Sequence, residues 1–168
     1  CSGHKHYVFA SLSGEFLENS IICTAPSKTF NLAGLQVSNV FIANENLRKA
    51  FKEEINKTGY SQLNTMGLVA CQSAYESGGE WLFQLKEYLT GNLNFLKSFL
   101  EEKLPQIKLV EPEGTYLAWL DFKSLGLEQK ELDQLIIDKA KLWLNSGTLF
   151  GIEGTGFQRI NIACPRQI

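Results

Sequence analysis

Apolar and polar positions alternate along the chain in patterns that predict strands and helices in mixed order. Apolar runs at residues 21–24 and 37–42 each predict a strand, the first of them buried on both faces. After Asn44, a favourable N-cap residue, apolar side chains recur every four positions, which predicts an amphipathic helix that ends at Gly59. Strand, loop, strand and helix in this order indicate an α/β fold.

The middle of the chain predicts two further helices. Residues 63–75 include no charged side chain, which predicts a helix that is buried on most sides, at a domain or subunit interface. Leucines then follow at spacings of three and four from Leu82 to Leu104, with Pro105 as the stop, and predict the longest helix of the chain. We interpret these leucines as a core stripe, because a coiled coil needs a longer heptad register.

The last third of the chain, from residue 107, predicts a compact α/β unit. A helix is predicted from the apolar spacing of residues 132–140, after a polar start at residues 128–131. The glycine-rich segment 151–156 lacks the Gly-x-Gly-x-x-Gly order and predicts a loop between strands rather than a dinucleotide site. The predicted strands lie at residues 107–110, 115–120, 142–144 and 157–163.

Composition limits the class of protein. The chain has 168 residues, of which 44% are hydrophobic and 20% charged, as in a soluble globular protein. A net charge of −2 gives no basic field for nucleic acid. No apolar run approaches the roughly 20 residues of a membrane-spanning helix, and the first residues have no signal-peptide core, so we expect a cytoplasmic protein without nucleic-acid or membrane partners.

Cysteines and histidines give little sign of a metal site. The four cysteines show no Cys-x-x-Cys spacing, and Cys23 and Cys164 lie in apolar runs, so we expect buried free thiols. The only two histidines, His4 and His6, have no carboxylate cluster at ligand spacing. The sequence therefore predicts no bound metal.

Two basic residues are candidates for chemistry. Lys28 stands where the first predicted strand ends in a loop, a place where a lysine can be desolvated and its amine made nucleophilic, although most lysines are solvated surface groups. Arg159 lies within an otherwise apolar strand, where a guanidinium group is costly without acceptors. A substrate carboxylate or a structural glutamate would each satisfy it, and position alone favours the structural partner.

The sequence around Lys28 resembles a known motif. Ser27 and Lys28, followed by Asn31, Leu32 and Gly34, resemble the Schiff-base lysine motif of the fold-type I pyridoxal-phosphate (PLP) enzymes, the class I/II aminotransferase superfamily. Within this superfamily, the sequence Ser-Lys-Thr-Phe-Asn-Leu-Ala-Gly-Leu-Gln is most similar to that of the cystathionine β-lyase-like C–S lyases.

The resemblance implies a cofactor and a role for each candidate residue. PLP would be bound by Lys28 and Ser27, and Lys28 would then act as the general base at the substrate Cα. Arg159 matches the position of the arginine that binds the substrate α-carboxylate. The implied reaction is cleavage of a cystathionine- or cysteine-type amino acid to pyruvate, ammonia and a thiol, in a protein that is a homodimer.

The resemblance also implies that the chain is the C-terminal part of a longer protein. Residues 1–80 would end a PLP-binding large domain, residues 81–104 would form a bridging helix, and residues 105–168 a small α/β domain without its final helix. Other cofactor contacts would lie upstream, so we expect this chain alone to bind PLP poorly and to have negligible activity. The alternatives are a PLP-dependent aminotransferase and a non-enzymatic α/β interaction domain in which Lys28 is incidental.

Overall fold

The computed structural model describes residues 3–60 and 62–167. Its backbone divides into two units, one over residues 5–84 and the other over residues 85–167 together with Gly3 and His4. Within the described ranges, no helix combines the length and the apolar character needed to cross a membrane. Helices and strands are present in both units, as expected for an α/β fold.

The first unit contains a two-stranded sheet and three helices. Its elements are α1 (Gly14–Glu18), β1 (Ile22–Thr24), β2 (Asn39–Phe41), α2 (Glu45–Lys57) and α3 (Thr65–Ser77). β1 and β2 pair antiparallel, with Cys23 opposite Val40. The predicted strand at 21–24 is confirmed, but its predicted burial on both faces is wrong, since Cys23 and Thr24 are exposed. β2 is the only strand paired with β1 in the described residues.

Helix α2 begins where the sequence predicts. The side-chain oxygen of Asn44 accepts hydrogen bonds from the backbone N–H groups of Asn46 and Leu47, at 2.9 and 3.2 Å. Two of the N–H groups that have no partner within the helix are thereby satisfied. Gly59 follows the helix with φ of 72°, a left-handed conformation that suits glycine after a helix end.

Helix α3 confirms one prediction and corrects another. The uncharged segment is helical, but only Gly67 and Cys71 are buried in it. Met66 is 70% exposed, and Leu68 and Val69 are 55% and 53% exposed. The absence of charge therefore does not reflect burial within this chain, and the proposed domain or subunit interface remains a prediction.

The second unit is a four-stranded antiparallel sheet with helices on one face. Its elements are α4 (Gly79–Lys103), which begins in the first unit, β3 (Lys108–Val110), β4 (Leu117–Asp121), α5 (Gln129–Gln134), β5 (Asn145–Ser146) and β6 (Phe157–Asn161). The strand order is β3-β4-β6-β5. Leu100 of α4 and Leu132 of α5 lie in one buried cluster with Leu120 of β4, which fixes the helices against the sheet.

The predicted strand at residues 142–144 is wrong. The helix that begins with α5 continues as one π-helical turn over Leu135–Lys139. Lys141 then adopts a left-handed φ of 57°, and the N–H of Leu142 donates to the carbonyl oxygen of Ile136 at 3.1 Å. The chain is still closing the helix at residue 142, so pairing in the sheet starts only at β5.

The cysteine prediction is also partly wrong. Cys23, Cys71 and Cys164 are free thiols, but only Cys71 is buried, and Cys1 lies outside the described residues. Cys164 follows β6 rather than lying within it, and β1 is open to solvent. An apolar neighbourhood in the sequence was therefore a poor guide to the burial of these thiols.

Candidate functional site

Lys28 lies in a tight turn directly after β1. The N–H of Phe30 donates to the carbonyl oxygen of Pro26 at 2.9 Å, and the N–H of Leu32 donates to that of Ser27 at 3.0 Å. Pro26 is fully buried and Ser27 half-buried, whereas Lys28 is exposed. The backbone thus fixes Lys28 between a buried proline and Phe30, and the side-chain amine is presented outward rather than desolvated within this chain.

Phe30 anchors one side of this turn in an aromatic cluster. Its ring lies 6.0 Å from the ring of Tyr75, edge-on, and 6.0 Å from that of Trp81, stacked. It also covers Gly78, the residue between α3 and α4. Arrangements of this kind add attraction beyond the apolar area they bury. The turn is therefore held to the C-terminal end of α3.

The other end of the Lys28 loop is held to the start of α3. The side-chain N–H of Asn64 donates to the carbonyl oxygen of Leu35 at 2.6 Å, while its side-chain oxygen accepts from the N–H of Gly67 at 2.6 Å. Asn64 is thus both the N-cap of α3 and a tether for the loop. The loop from Ala25 to Gln36 has a contact with each end of the same helix.

Arg159 lies in β6 on the sheet face opposite the helices. Its direct cross-strand neighbours are Trp119 of β4 and Asn145 of β5. One terminal nitrogen of its guanidinium group donates to Oδ1 of Asn145 at 2.9 Å. The guanidinium carbon lies 4.4 Å from the centre of the Phe150 ring, which is close enough for a cation–π interaction.

The guanidinium group of Arg159 has an unused donor. Its Nε is buried and makes no hydrogen bond in the described part of the chain. None of the ion pairs found there involves Arg159, so the structural glutamate that the strand position favoured is not observed. A buried donor without a partner is uncommon and costly. A carboxylate ligand would satisfy it and neutralise the charge.

A polar network on the helix side of the sheet supports this part of β6. Gln158 is 1% exposed and donates to Oδ1 of Asp133 at 2.6 Å. Gln129 donates to the same oxygen at 2.8 Å and to Oγ of Ser146 at 2.9 Å, and accepts from the N–H of Gly156 at 2.8 Å. The network joins α5, both strands that flank the glycine-rich loop and the end of that loop.

Sequence reasoning missed this network. Two signals were present in the sequence, a glutamine inside an apolar strand and the pair Gln129 and Asp133 at a spacing of four on a helix. Because buried polar side chains need partners, Gln158 beside Arg159 predicts a helix residue that binds it. The identity of that residue depends on the packing of α5, which the sequence pattern does not give.

The remaining candidates lie elsewhere or have other partners. The glycine-rich segment contains the short 3-10 turn Ile152–Gly154, which follows a first one at Gly147–Phe150, and it leads into β6 rather than into a helix. Arg166 donates to Oδ1 of Asn92 at 2.8 Å and to the carbonyl oxygen of Tyr88 at 3.1 Å, which gives it a structural role. His4 Nδ1 lies 3.6 Å from a carboxylate oxygen of Glu113, and both side chains are exposed.

Comparisons with known proteins point to one family. The model of the family "Aminotransferase class I and II" matches residues 4–167. Cystathionine beta-lyase PatB of Bacillus subtilis (strain 168) is 43% identical over 162 residues, which cover 96% of this chain and 42% of that protein.

Solved structures agree with this match. A PLP-bound protein from Clostridium difficile 630, provisionally described as an aminotransferase, superposes with a TM-score of 0.96 and 44% identity, over 99% of this chain and 43% of its own. Cystalysin from Treponema denticola, which contains a pyridoxal 5'-phosphate cofactor, superposes with a TM-score of 0.92 and 38% identity, over 97% of this chain and 41% of its own. The chain thus spans less than half the length of each of these proteins.

Proposed function

Because the chain belongs to the class I and II aminotransferase family, which is PLP-dependent, we propose that it is part of a C–S β-lyase that acts on cystathionine- or cysteine-type amino acids. The relatives named as cystathionine β-lyase and cystalysin support the lyase over the aminotransferase. The observation that carries the proposal within the chain is the buried, unpartnered Nε of Arg159, which calls for an acidic ligand.

Lys28 and Ser27 are the residues of this chain that we expect to bind the cofactor. The Lys28 amine is exposed and makes no hydrogen bond or ion pair within the described residues, so it is available to an aldehyde. Ser27 is half-buried and precedes Lys28 in the same turn. When bound, PLP supplies an electron sink for charge that develops at the substrate Cα.

We assign Lys28 two tasks in the reaction. Its Nζ would hold the cofactor, and its free amine would act as the base that takes the proton from the substrate Cα. In the β-elimination, the electron pair of that C–H bond would form the Cα–Cβ double bond as the thiolate leaves Cβ. Hydrolysis of the remaining fragment gives pyruvate and ammonia, so the products are those of a β-elimination.

We assign Arg159 the role of binding the α-carboxylate of the substrate. Its Nε has no other partner in the described residues, and Asn145 and Phe150 hold the guanidinium group by a hydrogen bond and by a cation–π contact. Because the guanidinium group is already fixed in orientation, less entropy is lost when a carboxylate forms two hydrogen bonds with it.

Several parts of the proposal concern the complete protein. We propose that it is a cytoplasmic homodimer, with residues 1–80, 81–104 and 105–168 as the end of its large domain, its bridging helix and its small domain. The exposed apolar side chains of α3 support an interface there. Since this chain spans less than half of its relatives, we expect it to bind PLP weakly and to turn over substrate negligibly by itself.

Reductive trapping tests the cofactor assignment. The purified chain is treated with PLP and borohydride, digested and mapped by mass spectrometry. We expect the adduct to be enriched at Lys28 and lost in Lys28→Arg, with Lys57, an exposed lysine in an ion pair with Glu54, as the internal comparison. A label spread evenly over the exposed lysines would contradict the assignment. In the complete protein, equimolar pyruvate and thiol from cystathionine would distinguish the lyase from a transaminase.

A further inference from the structure

Helix α3 is in contact with the Lys28 loop at both of its ends. At the C-terminal end, Phe30 packs over Gly78 and between Tyr75 and Trp81. At the N-terminal end, the side chain of Asn64 donates a hydrogen bond to the carbonyl oxygen of Leu35. A 13-residue helix therefore spans the loop in which Lys28 lies.

The contact at Gly78 depends on the absence of a side chain. A Cβ at this position would lie 2.5 Å from Cε1 of Phe30 and would also clash with the carbonyl oxygen of Ala74. At the next residue, Gly79, a Cβ would have no neighbouring atom within 4 Å. Two adjacent glycines thus differ in whether a methyl group would displace the ring of Phe30.

The contact at Asn64 leaves equally little space. A Cβ at Gly67 would lie 2.8 Å from the carbonyl oxygen of Leu35 and 2.8 Å from Nδ2 of Asn64. The loop backbone, the capping side chain and the first turn of α3 therefore meet at one point. Since both anchors are on the same rigid helix, movement of the loop between them is restricted.

We propose that α3 acts as a splint for the Lys28 loop, with Phe30, Gly78 and Asn64 as positioning residues that hold the Lys28 backbone for reaction with the cofactor. This inference rests on the cofactor role of Lys28 proposed above. The positioning residues act through the loop: Phe30 fixes the turn closed by its N–H and the carbonyl oxygen of Pro26, and Asn64 fixes the loop end. Preorganisation of this kind reduces the freedom that must be lost when a reactive group meets its partner.

Gly78→Ala and Gly79→Ala form a matched pair for the test. We expect Gly78→Ala to raise the hydrogen-exchange rates of the Phe30 and Leu32 amides about tenfold, because local opening of the turn becomes easier. We expect Gly79→Ala to leave both rates unchanged. The second readout is the ratio of PLP trapped by borohydride at Lys28 to that at Lys57, which should fall in Gly78→Ala only.

Two further variants serve if Gly78→Ala fails to fold. Phe30→Leu keeps an apolar side chain but removes the aromatic ring, and Asn64→Asp keeps the helix cap but loses the donor to Leu35. Both should loosen the turn or loop and lower the Lys28 ratio while the thermal midpoint changes little. If amide exchange and the ratio of PLP trapped at Lys28 to that at Lys57 are both unchanged in these variants, the proposed role of α3 is wrong.

The two proposals fail in different ways. If the unsubstituted chain shows no preference for Lys28 in trapping, the cofactor role is contradicted, and amide exchange alone then decides whether α3 restrains the loop. If the unsubstituted chain prefers Lys28 and the variants retain both that preference and the slow amide exchange, the cofactor role stands and the splint is wrong.

Discussion

At the scale of single residues, two arginines close together in the sequence have opposite surroundings. Arg166 has hydrogen-bond partners in Asn92 and Tyr88, and its guanidinium carbon lies 4.5 Å from the centre of the Tyr88 ring. Arg159 keeps a buried Nε without a partner in the described residues. Residues kept for binding are often unfavourable for stability, whereas structural residues are not.

This difference predicts that leucine lowers stability less at position 159 than at position 166. We expect Arg159→Leu to change the free energy of unfolding by less than about 1 kcal/mol, because the lost bond to Asn145 is offset by removal of an unsatisfied buried donor. Arg166→Leu should lower it by about 1–3 kcal/mol, since Asn92 loses a partner while buried. Urea unfolding measures both. A larger loss for Arg159→Leu than for Arg166→Leu would indicate a structural role for Arg159.

The position of Arg159 was predictable from the sequence, but its lack of a partner was not. An arginine within an apolar strand can be recognised from the residue types alone. Whether a carboxylate reaches it depends on the cross-strand neighbours, here Trp119 and Asn145, which are set by strand order and register. For Lys28 the sequence predicted the turn after a strand, whereas the exposure of its side chain follows from the packing around β1.

At the scale of elements, patterns that persist over many residues were reliable and short ones were not. The leucine spacing predicted the long helix, observed as α4, over almost its whole length. Three apolar residues, 142–144, gave a wrong strand because a π-helical turn and its closing hydrogen bond extend to Leu142. A run of three residues fits a strand or a helix end equally well, and the neighbouring structure decides between them.

The network between α5 and β6 yields a prediction at this scale. Asp133→Ala should lower the free energy of unfolding by about 2–3 kcal/mol, because the buried amide of Gln158 loses its acceptor. Asp133→Asn keeps an oxygen at that place and should cost about half as much, since a neutral acceptor binds less strongly than a charged one. Asp138→Ala, an exposed carboxylate in the π-helical turn, is the control and should stay within about 0.5 kcal/mol. Equal losses for all three would show that the network contributes nothing specific.

At the scale of the whole molecule, each unit contains one of the two principal site candidates, Lys28 in the first and Arg159 in the second. The sequence predicted β1, β2 and the helices α2, α3 and α4 in their order, because periodicity and capping residues are local, but it did not predict α1 or the position of β5. It did not predict burial in the first unit, where β1, α3 and the loop between β1 and β2 are largely open to solvent. Burial depends on what covers an element, and the relatives are more than twice the length of this chain.

The exposed apolar side chains of α3 predict that the chain associates with itself. Met66, Leu68 and Val69 are each more than half exposed, and the one charged residue of α3, Glu76, is seven positions beyond Val69. We expect sedimentation velocity to show a mass that rises with protein concentration, because burial of apolar surface between copies is favourable. The double substitution Met66→Lys and Val69→Glu should shift the chain towards monomer, since charged side chains would have to be desolvated in the contact.

The matched control reverses two charges on α2, Lys49→Glu and Lys52→Glu, and should leave the association in place. A monomer at every concentration, or association that survives the α3 substitutions, would show that this helix is not the contact surface.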